Sequence, residues 1–67
     1  MAIHKVIEVI AQSEASWEDA ARLAVQEASA SVKNIKSIWI KDTEGVVRDG
    51  TITAFRVTAR ITFEVGA

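Results

Sequence analysis

Two short runs of alternating side chains carry the chemistry this sequence offers. Ser37, Trp39 and Lys41 alternate along one segment, and Arg56, Thr58 and Arg60 along another. If both segments are strands, the period of two places each trio on a single face. An indole beside guanidinium groups suits stacking on a planar anionic ligand, through aromatic and cation–π contacts. The same residue types suit a subunit interface, where tryptophan and arginine are both enriched. The residues alone leave both readings open.

Little else in the chain points to a reaction. There is no cysteine, which removes disulfides and thiolate zinc sites, and no metal site is expected. The single histidine, His4, rules out a multi-histidine metal site and makes a Ser-His-Asp arrangement improbable. His4 reads first as a structural or solvated side chain and second as a switch or ligand. The three glycines are scattered, so no phosphate-cradling loop is present. The carboxylates fall singly, and no pair is marked out for general acid–base work. No catalytic residue is assigned, and a non-enzyme is expected. The charge balance, 8 Lys+Arg against 9 Asp+Glu, argues against a nucleic-acid partner and gives no sign of an anionic membrane surface. With no long apolar run and no signal-peptide features, the expected address is cytoplasmic.

The elements that must position these side chains follow from periodicity. Residues 3–11 are rich in β-branched residues and read as a strand. Ile3, Ile7 and Val9 point one way and Val6 and Ile10 the other, so both faces need cover. Ser16 with Asp19 resembles a capping box, and Glu18 and Asp19 suit the positive end of a helix dipole. Trp17, Ala20, Ala21, Ala24, Val25, Ala28 and Val32 recur at helical spacing, which predicts an amphipathic helix over 17–33 with a mostly alanine core stripe. Trp17 is expected to pack rather than to bind. A second strand is predicted over 35–48, with Ile38 and Ile40 opposite the Trp39 face and Gly45 marking a bulge. Asp49-Gly50 signals a tight hairpin turn. Over 51–65 the alternation is clean: Phe55, Val57, Ala59, Ile61, Phe63 and Val65 against Arg56, Thr58, Arg60, Thr62 and Glu64. The expected fold is α+β, a single domain over 1–67 in β-α-β-β order, with a three-stranded antiparallel sheet wrapped around one helix.

Sixty-seven residues bury a small core, and domains of this size usually add disulfides, metals or partners. Self-association is the remedy the composition favours. Isoleucine and valine total 16 against one leucine, a bias toward strands whose edges invite pairing.

At this point the chain resembles a family. Lys5-Val6-Ile7-Glu8-Val9, Ser13, Ser16-Trp17-Glu18-Asp19-Ala20, Asn34-Ile35, Asp49-Gly50 and Val57-Thr58 look like the dodecins over nearly the whole length. The resemblance implies a sheet wrapped around one helix and a hollow homododecamer of 23 symmetry. It implies flavins such as riboflavin or FMN bound between subunits, in storage or buffering rather than catalysis. Some members bind coenzyme A and some bind cations. Flavin-binding dodecins place a stacking tryptophan where this chain has Ser37, and a ring-contacting glutamine where it has Arg56; tryptophan appears instead at Trp39. A charged residue beside the glycine, implicated in phosphate or ion contacts, corresponds to Glu44. The residues expected to line a site are therefore Ser37, Trp39, Lys41, Glu44, Arg56 and Thr58, with a flavin as the first ligand. The alternative is a shell that has lost flavin and holds ions or coenzyme A.

Overall fold

The computed structural model describes residues 2–66. Four elements follow in the expected order: β1 (Ile3–Ser13), α1 (Trp17–Ala28), β2 (Ile35–Arg48) and β3 (Thr51–Val65). The sheet is antiparallel throughout, with the longest strand, β3, in the centre and order β1-β3-β2. β1 runs two residues further than its apolar pattern, because β3 still offers partners there: Gln12 lies opposite Arg56 and Ser13 opposite Phe55.

Local chemistry starts and stops the helix. The Ser16 hydroxyl accepts from the Asp19 amide at 2.9 Å, the expected N-cap contact. The reciprocal half of the box is diverted. Asp19 Oδ2 instead accepts from the Ser13 hydroxyl at 2.6 Å, and Ser13 Oγ accepts from the Ala15 amide at 2.9 Å. The β1-to-α1 corner is thus tied by one buried serine. At the far end the helix stops five residues short of the predicted 33. Ser29 Oγ donates to the Val25 carbonyl at 2.7 Å, and the next amides bond three residues back, Ala30 to Glu27 and Ser31 to Ala28. The Ser29 hydroxyl competing for a backbone carbonyl, with the three-residue bonds that follow it, tightens and ends the last turn.

The hairpin closes as expected. Arg48 pairs with Thr51 across a two-residue turn with φ of 52° at Asp49 and 75° at Gly50, the type I′ geometry that matches strand twist. The bulge expected at Gly45 is not there. Gly45 sits in register opposite Phe55, with the Ile52 side chain 3.5 Å from where a Cβ would stand. The register slips instead at Lys36 and Lys41 on β2 and at Thr53 on β3. Each slip follows from pairing with the neighbouring strand, which no single-residue signal announces.

The slip at Lys41 matters most. Before it, Ser37 and Trp39 pair with Thr62 and Arg60; after it, Asp42 and Glu44 pair with Thr58 and Arg56. All four therefore share one face of the sheet. Ile38, Ile40 and Thr43 pair with Ile61, Ala59 and Val57 on the other. That inner face carries the core. Ala20 and Ala24 of α1 and Val57, Ala59 and Ile61 of β3 are buried, the alanines letting helix and sheet approach closely. The molecule is long and thin, 51 × 19 × 14 Å, and its sheet extends well beyond its 12-residue helix. No described helix is long and apolar enough to cross a membrane.

Candidate functional site

The face turned away from α1 is a ladder of four rungs, each crossing β1, β3 and β2 in turn. They read Val6–Thr62–Ser37, Glu8–Arg60–Trp39, Ile10–Thr58–Asp42 and Gln12–Arg56–Glu44. Ser37, Trp39, Glu44, Arg56 and Thr58 all fall on this face. Lys41, the bulged residue, reaches it through its side chain, with Nζ 3.7 Å from Glu8 Oε1.

The second rung is the most specific. The Trp39 indole is 57% exposed. Arg60 places its guanidinium carbon 5.2 Å from the ring centroid, a cation–π distance. Arg60 Nε donates to Glu8 Oε1 at 3.0 Å. The hydrogen bond from Arg60, and next the charge of Lys41, hold the Glu8 carboxyl below the usual range. Two rungs on, Arg56 donates to Gln12 Oε1 at 2.8 and 3.1 Å and lies 3.6 Å from Glu44 Oε1. Each outward-facing cation near the indole therefore already has a carboxylate or amide partner. On the rungs either side of Glu8 stand Val6 and Ile10, 54% and 68% exposed. His4 also meets a carboxylate, Glu64, at 3.9 Å, where no partner was expected.

Sequence spacing found Ser37 and Trp39 of β2 and the β3 members of this face, and the family resemblance added Glu44. It did not assign Glu8, Gln12 or Asp42 to it. The signal for Glu8 and Gln12 lay in the polar even positions of β1, but their meaning depends on β1 pairing with β3 rather than β2. Asp42 was hidden by the Lys41 slip, because unbroken alternation would turn it toward the helix.

These residues suit an uncharged planar ring better than a phosphorylated one. The indole offers a stacking face, Val6 and Ile10 an apolar surround, and Ser37 and Thr62 hydroxyls that donate or accept one rung away. Among the described residues, no group of three or more His, Asp or Glu is placed to hold a metal ion.

Comparison with known proteins agrees with the architecture. The Dodecin family model matches residues 3–66, and the chain belongs to the dodecin family. It is 32% identical over 65 residues to the calcium dodecin of Mycobacterium tuberculosis, covering 97% of this chain and 92% of that protein. The solved structure of that protein, described as a calcium-chelating antigen with a novel calcium-binding site, superposes with a TM-score of 0.83 at 31% identity, covering 96% of this chain and 91% of that one. Dodecin from Streptomyces coelicolor superposes with a TM-score of 0.93 at 23% identity, over 98% of this chain and 94% of that one. An arginine-to-alanine variant of Thermus thermophilus dodecin gives 0.93 at 18%, over the full length of both. The last two establish the fold.

Proposed function

We propose that this dodecin is a non-enzymatic flavin-binding and storage protein of the cytoplasm. It assembles as a hollow homododecamer with its ligand held between subunits against Trp39. The observation that carries the reading is the exposed indole, on a sheet face its own helix does not cover. Assembly is supported by the small core: Ile3, Val6 and Ile10 of the edge strand and Val47 and Ile52 near the hairpin tip remain exposed in one chain. Ser37 and Thr62, one rung and nearly 7 Å along the strand, offer hydroxyls to the ring edge. Arg56 cannot accept a ring N–H as a glutamine would, so that contact falls to other groups.

The test is a fluorescence titration of riboflavin and FMN with the assembled protein. Stacking on the indole quenches flavin emission, and saturation is expected at one flavin per chain or per two chains. Trp39→Ala should weaken binding at least about fivefold, the low end of a lost stacking contact, while the oligomer stays assembled. Unchanged affinity in that variant removes Trp39 from the site.

A second reading is calcium binding, favoured by the similarity to calcium dodecin. Asp42 and Glu44 lie on adjacent rungs of the outer face, and water, backbone carbonyls or a second chain would complete the coordination. Calorimetric titration with calcium separates the two: heat with calcium and no flavin quenching would favour the shell that has exchanged one ligand for the other.

A further inference from the structure

The Trp39 ring is not bare in the isolated chain. The Arg60 guanidinium stands over it at 5.2 Å and is held there from the opposite strand by Glu8, at 3.0 Å. Lys41 lies 3.7 Å from the same carboxylate oxygen, so Glu8 gathers two cations at the edge of the indole. Arg60 is also free to leave, because its side chain is 43% exposed at the surface of the ladder.

We propose that Arg60 is a gate on the Trp39 site, latched by Glu8, and that a planar ligand exchanges with the guanidinium for the same face of the indole. This rests on the reading of Trp39 as the stacking residue. The mechanism is competition. A ring that stacks on the face Arg60 covers must first end the cation–π contact, and Arg60, still tethered to Glu8, moves to the rim. Arg60 therefore lowers the affinity of the site for any stacking ligand. Removing it uncovers the ring without touching Ser37, Thr58 or Thr62. Were Arg60 instead a ligand contact, its removal would weaken binding.

Two readouts on the assembled protein separate these cases. The first is acrylamide quenching of Trp39 in a Trp17→Phe background, with and without Arg60→Thr. Threonine suits a strand whose neighbouring outward residues are Thr58 and Thr62. The second is riboflavin affinity by flavin quenching in the same proteins. If Arg60→Thr does not assemble, Arg60→Ala replaces it. The gate predicts a steeper acrylamide quenching slope and riboflavin binding about two- to fivefold tighter, the equilibrium equivalent of one exposed cation–π contact. An unchanged or shallower slope overturns the proposal, as does weaker riboflavin binding. A steeper slope with no riboflavin binding in either protein leaves the gate standing and overturns the flavin reading.

Discussion

Replacing Trp17 should separate the weight of its ring from that of its single hydrogen bond. Trp17 opens α1, donates from Nε1 to the Glu44 carbonyl at 3.0 Å, and packs edge-to-face on Phe55 with centroids 4.8 Å apart and planes at 76°. It thereby joins the helix to β2 just past the Lys41 slip. Trp17→Phe keeps a ring and loses the donor. The Glu44 carbonyl is open to water, so the loss should be about 0.5–1 kcal/mol. Trp17→Ala also loses the ring. With 37% of the residue exposed, roughly 160 Å² of a side chain of about 250 Å² is covered, worth about 4 kcal/mol as an upper estimate. Losses of about 3–5 kcal/mol are usual for this substitution. The expected gap between the two variants is thus about 2–4 kcal/mol. Urea unfolding at one fixed protomer concentration measures it, since assembly makes apparent stability concentration-dependent. A double-mutant cycle with Phe55→Leu should return about 0.5–1.5 kcal/mol of coupling. Equal losses in the phenylalanine and alanine variants would refute the argument, because the hydrogen bond would then outweigh the packing.

Three further outcomes are expected. Ile61→Ala, at a fully buried position of the central strand, should cost about 2–5 kcal/mol in the same urea assay. Gly50→Ala should cost about 1–2 kcal/mol although nothing lies within 4 Å of the added methyl, because φ there is +75°; a thermal shift near zero would contradict the turn geometry. The Glu8 carboxyl titrates below its usual range when folded, chiefly through Arg60. Its stabilisation is therefore present above the unfolded value and lost as pH falls through the folded one. A plot of unfolding midpoint against pH should lose slope below about pH 4.3 in Glu8→Gln, and identical slopes in the two proteins would count against that pair.

The fold was legible because its signals are local. The Phe55-to-Val65 alternation, the Asp49-Gly50 turn and the Ser16 cap each depend on residues within a few positions of one another. The helix end was overrun because Val32 continues an apolar period past Ser29, whose hydroxyl bonds to the Val25 carbonyl where the last turn tightens. The site was half legible. Ser37, Trp39, Arg56 and Thr58 declared a shared face by spacing, and Glu44 came only through family resemblance. Glu8 and Gln12 needed the strand order, which is set by contacts across nearly the whole chain. Gly45 misled because a glycine in a strand has two uses, a bulge or room for a neighbour, and here the neighbour is Ile52.

The extra residue at Lys41 makes β2 a strand of changing parity. From Ser37 to that slip odd positions look outward, and after it even positions do, so Ser37, Trp39, Asp42 and Glu44 share one side although their spacing does not match. Removing that one residue would leave every rung in place, because Ile40 and Asp42 already pair with consecutive residues of β3, Ala59 and Thr58. It would restore unbroken alternation, with Trp39, Asp42 and Glu44 still outward and Thr43 still inward, and would take away only the ammonium that Lys41 brings within 3.7 Å of Glu8 Oε1. A slip absorbs an odd residue, so β2 can gain or lose one where it is bulged without turning its later side chains over. The residue number along β2 and the side a residue faces part company at Lys41, and the partner each residue meets across the ladder, rather than its place in the count, says what that residue can touch.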